Sequence, residues 1–338
     1  MSHEGFGRGK PAGAPRTGPI LRYRPERLRL RFTGAKAAET ITGLVTSDVL
    51  ALAPGQGQYS AALTPRGKVI ADLRILALED GFLVDTNEAA ARGFEAMVRK
   101  YVNPRLARYE NLSDVTGDVG LFGAGSSVLL HEALGSGSPS LDLADYAHVS
   151  VRAGGESVIV VRVPDFGVEG YEAIGPRPAI EALAARLVDG GAEDSNSGFA
   201  LLTASRIEAG RPEWGVDMDD STLAQEADLD RLGAISFTKG CYTGQETVAR
   251  VHYRGHVNRQ LRGLRLGGVA LPPAGSELRN GEGIAVGTLL SAAVSPARGP
   301  VALAMVRREV EPGAVLVVAI PGAERPVEGM VTALPMTD

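Results

Sequence analysis

The chain has 338 residues, 40 acidic and 35 basic side chains for a net charge of −5, and a single cysteine. That length exceeds one ordinary hydrophobic core, so two or three domains are expected, and the charge leaves no basic footprint for direct nucleic-acid contact. One thiol excludes an intrachain disulfide and a zinc site of clustered cysteines and fits a reducing, cytoplasmic compartment, while no apolar run approaches the about 18–20 residues needed to cross a membrane.

Residues 1–19, "MSHEGFGRGKPAGAPRTGP", are rich in glycine and proline with no apolar stretch, and read as a disordered tail rather than a signal peptide. "RLRLRF" (27–32) alternates as a strand should. "AKAAETITGLVTSDVLAL" has helical spacing, with Ile41, Leu44 and Val45 on one face. "PGQGQYSAALTPRGKVIADLRILAL" reads as a turn and two strands joined by "TPRG", and "GFLVDT" as a further strand. Residues 87–102 predict a helix with Asn87 as N-cap and Pro104 beyond its end. Residues 123–146, rich in Gly, Ser and Leu, read as a loop or linker. "ESVIVVRV" and "GYEAIG" predict strands, and "PAIEALAARLVDGG" and "LLTASRIEAG" helices, the latter ending at Gly210. Two such runs imply α+β or α/β subdomains with antiparallel hairpins. From about Gln260 only short alternating runs between Gly/Pro turns remain, the pattern of a small all-β barrel or sandwich. The boundaries expected are a tail at 1–19, subdomains at 20–122 and 123–258, and a barrel at 259–338.

The lone cysteine lies in "FTKGCYTGQE" (237–246). Thr243 and Glu246 fit a capping box opening a helix over "GQETVARVHY", with Glu246 and Arg250 spaced for an i, i+4 pair. Cys241 then sits near the positive end of a helix, with Lys239 as a neighbouring cation, both of which favour a thiolate. Gly240 and Gly244 permit close approach or positive φ. Two readings stand here, a small buried hydrophobe or an activated thiol. His252 or His256 could complete a Cys–His dyad spatially, but no spacing rule places them. One thiolate disfavours a metal site within one chain, and leaves open a cluster bridged between two chains or completed by an external thiol.

"KGCYTGQE" (239–246), with Tyr242 and Gln245 as its remaining members, resembles the K-G-C-Y-x-G-Q-E signature of the YgfZ-type folate-binding proteins of iron–sulfur cluster maintenance. "RIEAGRPEWGVD", "AQEADLD", "GAISFTKG" and "VARVHYRGHVNRQL" follow the family's order, and "LVTSDVLALAPGQGQYSAALTPRGKVIADLRIL" is similar to the N-terminal region of glycine-cleavage T-proteins. The resemblance implies an α+β, T-protein-like fold: two ferredoxin-like α/β subdomains with antiparallel sheets and a C-terminal β-barrel around a central folate-sized cleft. It implies tetrahydrofolate or a derivative as ligand, with Asp72 in "VIADL", Glu208 in "RIEAG" and Glu172 in "GYEA" as the pterin-side acids. A carboxylate there would accept hydrogen bonds from the pterin N–H edge. The T-protein pattern "ARDSLRLEAG" departs to "LLTASRIEAG", so its Arg and Asp become Leu202 and Thr203, which disfavours aminomethyl transfer. The function so implied is a folate-dependent factor for assembly or repair of iron–sulfur clusters, linked to tRNA modification. Cys241 is its thiol, and its partners are client enzymes or cluster-assembly proteins. A one-carbon transferase or demethylase, and a folate-sensing scaffold with a structural cysteine, are the alternatives.

Overall fold

The computed structural model describes residues 18–24, 27–268, 271–319 and 326–337. The expected tail, save Gly18 and Pro19, lies outside the described residues. After β1 (Ile20–Tyr23) the chain forms β2 (Arg27–Thr33), α1 (Ala37–Leu44), β3 (Gly57–Leu63), β4 (Val69–Leu78), β5 (Gly81–Asn87), α2 (Glu88–Tyr101) and β6 (Arg108–Asn111). The last five strands named build a fully antiparallel first sheet in the order β3-β4-β5-β2-β6. Leu28, Leu30 and Phe32 of β2, Ala71, Leu73 and Ile75 of β4, and Val84 of β5 face α1 and α2, forming one core with Ile41, Phe94 and Val98. Asn87 caps α2 through the Ala89 amide, as its position predicts. α1 stops at Leu44, short of the helical pattern extending through Val45. Val45 turns extended and bridges Ala62, a conformation its β-branched side chain favours.

Because side chains alternate along a strand, the opposite face of this sheet carries Arg27, Arg29, Asp72, Arg74 and Asp85. That face does not meet solvent. It packs against a second sheet formed by β1, β7 (Thr116–Phe122), β8 (His148–Ala153), β9 (Glu156–Arg162) and β10 (Gly170–Pro176), in the order β1-β7-β10-β9-β8. Both β1 and β7 fall within the 20–122 span of the sequence reading, yet pair in this second sheet. Its outer face is covered by α3 (Ser126–Leu134) and α4 (Arg177–Asp189). α3 lies inside the stretch expected to be a loop or linker. Its Leu129 and Leu130 bury against the sheet, and that burial rather than propensity stabilises so short a helix.

The two inner faces meet through Leu76 and Leu83 of the first sheet and Phe122, Val161 and Ile174 of the second, joined by Leu202 of α5 (Asn196–Glu208). Phe122 is fully buried and stands edge-on to Phe166 at 4.7 Å between centroids. Gly120 and Gly170 make room for it, since a Cβ at Gly170 would lie 2.6 Å from its ring.

Past α5, residues 211–244 cross back over the first sheet, where Met218, Ala224, Leu229 and Tyr242 pack on Tyr59, Ala61 and Leu63. α6 (Gln245–Arg254) leads into a closed barrel of β11 (Arg259–Leu266), β12 (Glu277–Arg279), β13 (Ala285–Ser295), β14 (Gly299–Arg307), β15 (Val315–Ala319) and β16 (Val327–Thr332). Ala204 and Ile207 of α5 pack on barrel residues Leu261, Val301 and Leu303. No helix among the described residues is long and apolar enough to cross a membrane.

Phe122→Ala leaves a cavity at the joint between the sheets and is expected to cost about 3–5 kcal/mol, read as a lowered urea midpoint with unchanged slope. A cost under about 1 kcal/mol would show that the joint does not depend on this ring.

Candidate functional site

Cross-strand register sets Arg29, Asp85, Arg74 and Tyr59 side by side on the inner face of the first sheet. Asp85 accepts from Arg27 at 2.6 and 3.0 Å and from Arg74 at 2.7 and 2.5 Å. Asp118 and Glu172 face this row from the second sheet, and Arg24 and Asp165 complete it from adjoining loops. Glu172 pairs with Arg24 and, at 2.5 Å, with Arg74, while Asp165 lies 2.8 Å from Arg24. Burial opposes ionisation of Asp85 and Glu172, but Arg27 and Arg74 hold the first, and Arg24 and Arg74 the second, below the usual carboxylate range. Asp118 differs. Its nearest cation, Arg29, is 3.3 Å away, and neither of its oxygens accepts an aligned hydrogen bond. Burial, reinforced by the Glu172 charge, pushes it up to about 7. Asp85, Asp118 and Glu172 bring carboxylate oxygens close enough to hold a metal, but four arginines already occupy that space.

Beside this network lies a cavity of about 60 Å³. Six arginines (Arg22, Arg24, Arg27, Arg74, Arg206 and Arg211) line it against three acids, Asp72, Asp165 and Glu213, with Tyr59, Phe166 and Trp214 as aromatic walls. Arg206, on α5, pairs with Asp217 and reaches Ser291 of the barrel, so α5, the segment that follows it and the barrel fix one wall. The Tyr59 hydroxyl donates to Asp72 Oδ2 at 2.9 Å. Burial raises the Asp72 carboxyl, an effect the Tyr59 hydrogen bond partly offsets. Tyr59 stacks on Tyr146, which holds a left-handed φ of 64°, a conformation costly for a bulky residue. The volume is small beside the ~300–1,000 Å³ of ordinary ligand sites.

The expected site residues therefore divide. Asp72 lines the cavity. Glu172 is fully buried and does not; contrary to the reading as a pterin contact, its carboxylate is consumed in fixing Arg24 and Arg74. Glu208 lines a neighbouring hollow with Ser205, Arg231 and Met336, which meets the cavity at Arg211 and Leu232. Its Oε1 is buried without a hydrogen bond, 3.7 Å from Arg298. The lining arginines escaped the sequence reading. The available signal was charge at alternate positions of several strands, which ordinarily marks a solvated face.

Cys241 lies outside the cavity and is exposed, which removes the reading as a small buried hydrophobe. The capping box does not form. α6 begins at Gln245 with Gly244 as N-cap at φ 88° and no side-chain cap, while the Thr243 amide donates to Gly43 O. A Cβ at Gly244 would stand 2.7 Å from Thr64 O, so glycine is required by both conformation and space. Glu246 and Arg250 make no ion pair. Lys239 is not a free cation beside the thiol. It is buried, and its Nζ donates to Thr42 O, Val45 O and Ser47 O at 2.5, 2.6 and 2.8 Å. Burial pushes it down to about 8, opposed by Asp48, which leaves it charged at neutral pH. His252 stacks on Phe237 at 3.7 Å, and no hydrogen bond joins it or His256 to Cys241.

The family model described as the GCVT N-terminal domain matches residues 27–239. An aminomethyltransferase of Saccharopolyspora erythraea is 30% identical over 90% of this chain and 83% of its own length. The tRNA-modifying protein YgfZ of Edwardsiella ictaluri is 33% identical over 74% of this chain and 72% of its own. The crystal structure of glycine cleavage system aminomethyltransferase T from Bartonella henselae superposes with a TM-score of 0.82 over 94% of this chain and 86% of that one, at 24% identity. The fold is thus that of the aminomethyltransferase, with two antiparallel sheets and a closed barrel.

Asp118 gives the network a pH signature. Unfolded, this carboxyl ionises near 4; folded, near 7. Between these values the native chain holds the extra proton, so the contribution is full below about pH 4 and lost as pH rises through about 7. Unfolding titrations of wild type should show this fall, and Asp118→Asn should flatten it. Parallel profiles would mean that Asp118 ionises normally.

Proposed function

Because this chain belongs to the GCVT N-terminal domain family, whose members use tetrahydrofolate derivatives, we propose that it is a folate-binding factor for assembly or repair of iron–sulfur clusters. Cys241 is its working thiol. The cavity chemistry suits the ligand. The Tyr59 hydroxyl bonds Asp72 Oδ2, which leaves Oδ1 to accept from the pterin N–H edge, a charge-assisted contact that selects for that edge. Tyr59, Phe166 and Trp214 offer ring faces, and Arg211, whose side-chain partner is the Tyr146 hydroxyl, is placed to meet a carboxylate of a folate tail. Bound folate would supply one-carbon chemistry at this place. The chain's own groups orient the ring, exclude water and keep Tyr59 as a donor, since burial and the Asp72 charge raise its phenol well above its ordinary value.

The observation that carries the proposal is the exposure of Cys241 outside the Asp72 cavity. A thiol in that position meets what another molecule delivers, as transfer or repair of a cluster on a client enzyme requires. The cluster is then cargo rather than a resident group. The likeness to proteins called tRNA-modifying supports the same direction.

Aminomethyl transfer is the second reading, favoured by relatives of that name covering most of the chain. Against it, Leu202 is buried among apolar side chains and the Thr203 hydroxyl is turned back to Phe199 O, so neither supplies the charge found at the corresponding T-protein positions.

Cys241→Ala should abolish complementation of a deletion strain, measured as the activity of an iron–sulfur enzyme in cells, with thermal stability unchanged. Full rescue by this variant, or release of methylene-folate from an aminomethyl donor by the purified protein, would overturn the proposal in favour of another.

A further inference from the structure

Lys239 and Tyr242 are buried on either side of Gly240 and Cys241, which are exposed. The flanking contacts are specific. Thr42 and Val45 belong to the last turn and the C-cap of α1, where helix carbonyls lack intrahelical donors and carry the negative end of the dipole. The Lys239 ammonium takes two of these carbonyls and adds Ser47 O just beyond. Only a compact ammonium brings three donors to one point; a planar guanidinium cannot converge on three acceptors so arranged. The Tyr242 ring lies 4.7 Å from the same Nζ. Around this point Ser236 N donates to Thr46 O, Thr46 Oγ1 to Ala234 O, and Thr243 N to Gly43 O. The backbone from 234 to 243 is thereby sewn to residues 42–47.

We propose that Lys239 is the positioning residue of the thiol loop, its ammonium locking the Lys239–Tyr242 arch onto the C-terminal end of α1 so that Cys241 is held out at a fixed place. It acts on the thiol through backbone geometry. The inference rests on the reading of Cys241 as the working thiol for its functional meaning, but not for its geometry.

The single cysteine allows a nitroxide to be attached at Cys241 alone. In wild type the label should give an immobilised spectrum. Lys239→Met, of similar length but with no donors, should convert it to a mobile one and speed amide exchange at 240–244 at least tenfold, with tetrahydrofolate affinity unchanged. Lys239→Arg should not restore order, whereas ethylammonium added to Lys239→Ala should. An immobilised label in well-folded Lys239→Met overturns the proposal. Should that variant fail to fold, the native protein decides. The Lys239 NH₃⁺ protons should exchange slowly and show coupling to the carbonyl carbons of Thr42, Val45 and Ser47 by NMR; rapid exchange without coupling overturns it. Full rescue by Cys241→Ala would instead remove the functional reading and leave the loop geometry standing.

Discussion

The burial of charge between two sheets is the constraint on which the rest of the structure depends. Arg29, Arg74, Asp85, Asp118 and Glu172 are all nearly inaccessible, and taking such groups out of water costs several kcal/mol per ion unless pairing and hydrogen bonds offset it. The offset comes from partners on different parts of the chain. β2, β4 and β5 supply one side, β7 and β10 the other, and the connection after β1 supplies Arg24. The sheets therefore cannot slide or separate without stranding a charge. Apolar contacts around Phe122, which fits only opposite Gly120 and Gly170, add cohesion, and the ion pairs constrain the register further.

That register forms the cavity. Arg24, Arg27 and Arg74 are held by acids behind them and show their remaining surface to the Asp72 pocket. Asp72 lies on the same strand face as Arg74, two residues away, so the polar wall and its counter-charges are set by one strand's alternation. Arg206 extends this order to the barrel through Asp217 and Ser291. The thiol loop is assembled by different means, from backbone carbonyls at the end of α1 and an ammonium. The cluster containing both Tyr59 and Tyr242 connects the two places without merging them.

Much of the fold was legible because the strands obey period two and the helices carry one apolar stripe. The barrel was read from its short alternating runs, and α2 from its cap. α3 was not, since "SSVLLHEAL" is short, follows glycines, and becomes a helix only by burying Leu129 and Leu130. The meaning of "RLRLRF" was only half legible. Its alternation marks a strand, but the sequence does not say that a second sheet, whose Asp118 and Glu172 lie far along the chain, covers the arginine face. At the thiol, the local pattern T-x-x-E favours a capping box, yet tertiary contacts to Gly43 and Thr64 impose Gly244 as the cap. Lys239 was visible as a nearby cation, whereas its three acceptors lie nearly two hundred residues away in the chain.

The central claim is that the ligand cavity and the thiol are separate centres, and calorimetric titration with tetrahydrofolate tests it directly. Asp72→Asn keeps the shape and removes the charge-assisted contact, so affinity should fall about 10- to 100-fold, the equivalent of about 1.5–3 kcal/mol. Cys241→Ala should bind as wild type does. Loss of affinity in Cys241→Ala together with unchanged binding in Asp72→Asn would contradict the assignment of both centres.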